Sequence, residues 1–426
     1  MQDKALSHGL WEETAPPSPK SSPIEGEQSA DVAVIGGGYT GLSAALHLAE
    51  SGTDTIVLEA KEIGFGGAGR NVGLVNAGLW LMPDDVVRIV GPAYGERLIE
   101  VLGASPDLVF GLIEKHGIQC EAMRKGTLHC AHSPRGFRAL QQRQAQWQRR
   151  GAPVTLLSRE DAAPKIGSDG FHGALLDERA GTIQPLAYAY GLAKAAKHAG
   201  ARLFVDSPVT DLKRESNYWC LTTPSGHVRA KAVILATHGY PQYAFKNREK
   251  ELIPFNFFQF ATSPLPENVR KTILPGGQGA WDTNMILSSF RLDQSGRLIV
   301  GSVGQVENRG YSLHKSWARR TVRMIFPQVG PTSLEYAWNG RIAMTVDHIP
   351  RFHMLDEDLV SVNSYNGRGI GPGTVFGKLL AELVQGARPD TIPLPVAKPR
   401  AILTRNLRGL FYETGAQLYH LIQRCI

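Results

Sequence analysis

Apolar positions along this chain fall in three spacings, and each predicts a different element. The unbroken run Val32-Ala33-Val34-Ile35, after Asp31, has the length and β-branched content of a strand buried on both faces. Leu42, Ala45, Leu46 and Ala49 then recur at helical spacing as far as a glycine stop at Gly52. Thr55 to Leu58 reads as a second buried strand that ends at Glu59. Strand, turn, helix and strand in this order make one α/β unit with parallel strands.

Beyond it, residues 82–150 follow a helical pattern with charged amphipathic runs and few strand signals. Residues 185–198 predict a helix, 202–205 a strand, and 209–213 its continuation. A small hairpin, 219–222 with 228–230, leads into the apolar strand 232–235 and a small-residue turn. Residues 241–334 alternate, most clearly over 255–261 and 297–300, which suits an antiparallel sheet. The block 338–350 precedes one more strand, 359–363. Gly367, Gly369, Gly371 and Gly373 then approach a helix expected over 374–384.

Gly36, Gly38 and Gly41 stand as G-x-G-x-x-G between the first strand and its helix. Gly36 allows the tight turn, Gly38 lets a pyrophosphate approach the main chain, and Gly41 lets helix and strand pack closely. The helix N-terminus offers free N–H groups to phosphate, and Glu59 suits ribose hydroxyls. Together they predict a dinucleotide site with Tyr39, Thr40 and Ala60 alongside. A second glycine-dense loop, 64–73, follows the acid and suits close approach to something large or flat. The late glycine run predicts a second helix N-terminus that favours negative charge.

The formal charge of +7 and pI near 9.2 invite nucleic acid or an anionic membrane, or serve solubility alone. The charge is dispersed, with no block of five or six like residues, so nucleic acid is not expected as a partner. Cys120, Cys130, Cys220 and Cys425 follow no disulfide or zinc spacing, so free thiols and no metal are expected. Residues 1–30 lack a signal-peptide core and no apolar run is long enough to span a bilayer, which predicts a cytoplasmic protein. That arm is expected along the surface, pinned by Trp11. The tail 391–426 sets Ile402, Leu403, Leu407, Leu410 and Phe411 beside Arg400, Arg405 and Arg408. This amphipathic basic helix is expected against the protein itself, a second subunit or an anionic membrane surface.

With these residues in view, the chain resembles the D-amino-acid oxidase (DAO) superfamily of FAD-dependent oxidoreductases. The resemblance rests on the fingerprint ending at Glu59, the Gly69-Arg70-Asn71 loop, the Ala236-Thr237-His238-Gly239 strand end, and the late blocks 338–350 and 366–373. Within that superfamily it is most similar to the glycine oxidase-like branch, which includes L-pipecolate and γ-glutamylputrescine oxidases. It implies an α/β (α+β overall) fold with a Rossmann-like FAD domain over 31–90, 160–240 and 335–390. An antiparallel-sheet substrate domain would take 91–159 and 241–334. FAD would be noncovalent, because no cysteine stands in 338–345 and no histidine in the loop after Glu59.

The implied chemistry is oxidation of a C–N bond by hydride transfer to flavin N5, giving an imine. L-pipecolate is the preferred substrate. γ-Glutamylputrescine, a sarcosine- or glycine-type amine, a quinone-linked amino-acid dehydrogenase and an RNA-modifying flavoenzyme are the alternatives. The electron acceptor would be oxygen or a quinone. The resemblance also implies cofactor contacts at Gly69, Arg70, Asn71, Val72, Val209, Ala236, Thr237, Gly340, Gly369, Ile370, Gly371, Gly373 and Thr374. Substrate contacts fall on Arg341, Phe258, Gln259, Arg291 and Arg368, with Arg341 suited to a carboxylate. No acid or base is assigned firmly; His348 and Lys271 are weak candidates besides Arg341.

Overall fold

The computed structural model describes residues 7–240, 251–307, 309–399 and 405–422. Unbroken apolar runs build a parallel sheet in the order Arg202–Phe204, Thr55–Leu58, Gly26–Ile35, Gly226–Leu235, Leu359–Asn363. Arg351–Asp356 adds an antiparallel strand beyond Leu359–Asn363. The hairpin Asp211–Glu215 and Tyr218–Thr222 pairs with the first half of Gly226–Leu235, so the expected strands 228–230 and 232–235 are one continuous strand. Helix Tyr39–Glu50 packs against both Pro185–His198 and Ile370–Val384. Gly41 lets the start of this helix lie against the end of strand Gly26–Ile35, since a Cβ there would sit 1.9 Å from the Gly36 carbonyl oxygen.

Alternating runs build a second sheet, ordered Leu334–Met344, Ile253–Pro264, Arg297–Val303, Ser289–Leu292, Gly279–Asp282, Thr127–Cys130, Ala174–Asp177, Val154–Leu157. Its neighbours are antiparallel except for Gly279–Asp282 beside Thr127–Cys130. Phe258, Phe260, Phe290, Trp317 and Phe326 form the core on one side of it. The chain crosses between the sheets repeatedly, so the segments that build the two sheets alternate along the sequence.

Three expectations change. Ala174–Asp177 falls in the stretch 160–240 expected with the parallel sheet, yet it pairs in the antiparallel one. An apolar run this short carries no period to tell the two apart. Helices Pro92–Gly103 and Ser105–Lys115, expected in the substrate domain, pack on Ile370–Val384, and Leu98, Leu102 and Val109 share a core with Val34, Leu46 and Phe376 as well as with Val154 and Leu175. The helix expected from 374 begins a turn earlier, at Ile370. The N-terminal arm runs along the surface over residues 12–23 and is pinned as expected, with Leu10 and Trp11, in the helix Leu10–Thr14, fully buried and His8 nearly so.

Helix Arg405–Ile422 packs against Ile253–Pro264 and Arg309–Ile325, with Ala416 and His420 buried and Leu418 and Leu421 exposed. Arg400, Ile402, Leu403 and Cys425 lie outside the described residues. Among the described residues no helix is long and apolar enough to cross a membrane.

Candidate active site: a cavity walled by both sheets

A cavity of about 480 Å³ opens at the carboxyl ends of the parallel strands and runs under the antiparallel sheet. Crevices in this position are where open α/β sheets bind ligands. At one end, helix Tyr39–Glu50 starts at Gly38 with no side-chain cap, so its first N–H groups lack an intrahelical or side-chain partner. A Cβ on Gly38 would meet nothing nearer than the Ala68 Cβ at 3.8 Å, which leaves room for a phosphate there. Glu59 Oε2 accepts the Gly37 N–H at 2.6 Å and Oε1 the Lys61 N–H at 2.9 Å. Burial holds its carboxyl above the ordinary range, and those N–H groups oppose the shift. Ala60, Val209, Ala236 and Thr237 complete this end.

Midway, helix Ile370–Val384 starts at Gly369, again without a side-chain cap. A Cβ on Gly369 would meet only the Tyr365 ring, at 3.9 Å. The wall here stores backbone strain: His238, His348 and Asn366 have φ of 45°, 58° and 50°. His238 stacks on Tyr365 with centroids 4.2 Å apart, and the Tyr365 hydroxyl pairs with Thr40 Oγ1 at 2.5 Å. Burial pushes His238 down to about 4, so its imidazole is neutral at pH 7, and its Nδ1 has no hydrogen-bond partner.

The 64–73 loop folds around Asn71. Its Nδ2 donates to the Gly67 and Ala68 carbonyls at 3.0 and 2.9 Å, and its Oδ1 accepts the Gly73 N–H at 2.9 Å. Asn71 and Val72 both line the cavity. The far end is largely aromatic and aliphatic, with Trp80, Phe255, Phe257, Trp281, Leu287 and Met344. Gln259 Oε1 and Trp281 Nε1 are buried in this wall without a hydrogen-bond partner. Arg341 is exposed at the rim, its backbone N–H donating to the Tyr240 hydroxyl at 2.7 Å. Among the described residues no carboxylate lies within ion-pair distance of its guanidinium, and Glu59 is the only acid on the wall.

The structure thus brings Gly36, Gly38, Tyr39, Thr40, Glu59, Ala60, Asn71, Val72, Val209, Ala236, Thr237, Gly369, Gln259, Arg341 and His348 to one cavity. Others sit behind its wall. Gly41 spaces helix from strand, and a Cβ on Gly69, Gly340, Gly371 or Gly373 would press on Gly64, Phe257, Ser105 or Tyr39. Arg70 is buried with its guanidinium on the Phe65 carbonyl and 4.5 Å over the Phe65 ring. Ile370 is buried, and Thr374 bonds the Ile370 carbonyl and the Tyr188 hydroxyl.

Several substrate expectations are corrected. Phe258 points to the opposite face of its strand and packs on His314 and Trp317. Arg291 donates to the Ile183 carbonyl at 2.5 Å, and Arg368 to the Ala77 carbonyl at 2.7 Å, where it sits over Trp80 and Trp281. Lys271 is exposed and pairs with Glu267. Sequence reasoning missed His238, Tyr240, Trp80, Trp281 and Tyr365. Phe255 and Phe257, which the two-residue period places on the face of Gln259, belong to the strand 255–261 that the family resemblance implies over the flavin, but were not singled out as contacts.

A family model described as FAD dependent oxidoreductase, DAO, matches residues 31–383. The chain is 32% identical over 416 residues to γ-glutamylputrescine oxidoreductase of Escherichia coli, covering 93% of each. It is 30% identical over 412 residues to a probable oxidoreductase, OrdL, of Haemophilus influenzae, covering 94% of each. Among solved structures, glycine oxidase from Geobacillus kaustophilus superposes with a TM-score of 0.71 at 20% identity, over 88% of this chain and 100% of that one.

Proposed function

This chain belongs to the DAO family of FAD-dependent oxidoreductases, enzymes of amine and amino-acid oxidation, and on that premise we propose a substrate of the γ-glutamylputrescine kind. Such a substrate carries its carboxylate far from the amine that is oxidised. The observation that carries this reading is Arg341, a rim cation without an acidic partner among the described residues, above a deep aromatic pocket. A carboxylate on Arg341 would reach the rim while the amine end lies deeper, near Gln259 Oε1, which has an acceptor to offer an N–H. The relative 32% identical to this chain carries γ-glutamylputrescine in its name, which favours it over L-pipecolate, the runner-up, whose carboxylate adjoins the nitrogen.

FAD would lie with its pyrophosphate at Gly36, Gly38 and the first turn of Tyr39–Glu50, and its ribose at Glu59. Asn71 and Val72 would cover it, and the N-terminus of Ile370–Val384 would favour negative charge at the flavin N1 and C2 oxygen side. It would be held noncovalently. FAD there would supply the acceptor for the hydride on the carbon beside the nitrogen, leaving an imine open to hydrolysis. Two titratable groups on the described wall are poor bases. Glu59 is engaged by two N–H groups, and a His238 with its pKa pushed down to about 4 is a poor proton acceptor. The substrate ammonium therefore loses its proton to solvent, and the rate should rise with pH towards the amine's own pKa.

Arg341→Gln should raise KM for γ-glutamylputrescine about tenfold to a hundredfold and leave KM for carboxylate-free putrescine unchanged. Equal losses on both amines would remove Arg341 from substrate binding. Anaerobic flavin bleaching by L-pipecolate in preference to γ-glutamylputrescine would promote the runner-up. The speed at which air restores the colour would then separate an oxidase from a dehydrogenase.

A further inference from the structure

Loop 64–73 contains Gly64, Gly66, Gly67, Gly69 and Gly73, so holding it in one conformation costs more entropy than for an ordinary loop. Part of the hold comes from Asn71. Part comes from Tyr39 and Trp338, which donate to the Ala68 and Arg70 carbonyls, and part from residues that precede the family-matched stretch 31–383. Trp11 Nε1 donates to the Asn71 carbonyl at 2.9 Å, and Trp338 Nε1 donates to the adjacent Arg70 carbonyl at 2.9 Å. The two indoles meet edge to face at 5.7 Å, both fully buried. His8 Nε2 lies 3.1 Å from the Gly64 carbonyl, which can only accept, so Nε2 carries the ring proton. The arm is itself anchored, because Gln184 Nε2 donates to the Trp11 carbonyl at 2.8 Å.

A trans peptide points its N–H opposite to its C=O, and no peptide among the described residues is cis. By gripping the Asn71 carbonyl, Trp11 turns the Val72 N–H away from the arm, and Val72 lines the cavity. We propose that His8 and Trp11 are positioning residues that set this loop and aim the Val72 N–H at bound FAD. The proposal rests on the reading above that the loop covers FAD. It makes cofactor retention depend on a segment that touches no cofactor. By reciprocity, FAD strengthens the docking of the arm.

The test follows FAD release from the holoenzyme, by recovery of free-flavin fluorescence, and the melting temperatures of the apo and FAD-bound forms. Trp11→Phe keeps an aromatic ring, though a smaller one, and loses the donor, leaving a buried carbonyl unsatisfied, so FAD affinity should fall roughly tenfold. His8→Ala should act in the same direction, and His8→Gln, which restores a donor, should return affinity to within about threefold of the parent. The gap between apo and FAD-bound melting temperatures should narrow in Trp11→Phe and His8→Ala. A merely structural role would lower both temperatures together and keep the gap, which overturns the proposal. Asn71→Ala separates the two readings. If it weakens FAD while Trp11→Phe does not, the positioning role fails alone; if neither variant weakens FAD, the covering role of the loop fails with it.

Discussion

Trp11 and His420 are both fully buried, in two segments outside the family-matched stretch 31–383, and they brace different parts of one cavity. The N-terminal arm grips backbone: its indole and imidazole bond carbonyls of the 64–73 loop. Helix Arg405–Ile422 grips side chains. His420 Nδ1 lies 3.0 Å from His314 Nδ1, and its Nε2 lies 3.2 Å from Ser302 Oγ on the cavity wall. Tyr419 donates to Asn284 Oδ1 at 3.2 Å, beside Met285 on the rim. A glycine-rich loop has few side chains to hold, so it must be held by its peptides. The far wall has side chains available, and there the brace is a pair of titratable rings.

The largest expected contrast is in stability. Trp11→Ala should cost about 3–5 kcal/mol in denaturant unfolding of the holoenzyme. Leu421→Ala, on the exposed face of the other segment at 62% exposure, should stay within about 0.5 kcal/mol. Acid sharpens the comparison. Burial pushes His8 and His314 down to about 4 and His420 to about 3, with Arg70 adding to the effect at His8 and with His314 and Arg320 adding to it at His420. All three lie below the free value near 6.5, so the undocked segments take up protons first and docking weakens as pH falls below 6.5. At pH 5.5 that amounts to about 1.4 kcal/mol for each histidine: the arm carries one, and the interface of the helix joins two, His420 on it and His314 on the facing Arg309–Ile325. Hydrogen exchange followed from pH 7 to 5 should therefore loosen the helix before the arm; the reverse order would break the comparison. The smallest effect is expected for Tyr419→Phe, which should raise substrate KM by less than about threefold and leave FAD affinity unchanged.

The strand, turn, helix and strand unit was legible because each glycine and the closing acid have distinct physical duties at fixed spacing. The antiparallel run 255–261 was legible as a strand, but a two-residue period defines two faces without saying which is inward, and Phe258 was placed on the wrong one. Arginine identity told still less. Arg341, Arg291 and Arg368 look alike in sequence, and only the carbonyls waiting beside Arg291 and Arg368 separate buried anchors from the rim cation. Residues 8–11 are too few to show any period, so their burial had no signal beyond the presence of a tryptophan. The aromatic lining was hidden for another reason: Trp80, Tyr240, Trp281 and Tyr365 come from four separated parts of the chain and meet only after the two sheets come together.

The parallel sheet places Val233 and Leu359 as register partners, more than 100 residues apart. A ribosome that has synthesised the dinucleotide fingerprint has therefore made only half of its binding crevice. The wall from Tyr365 to Gly369 and the start of the Ile370–Val384 helix emerge long afterwards, and the intervening antiparallel strands must find their own partners meanwhile. Capture of the cofactor thus waits for the helix Ile370–Val384, and can act as a check that the chain has threaded correctly between the two sheets.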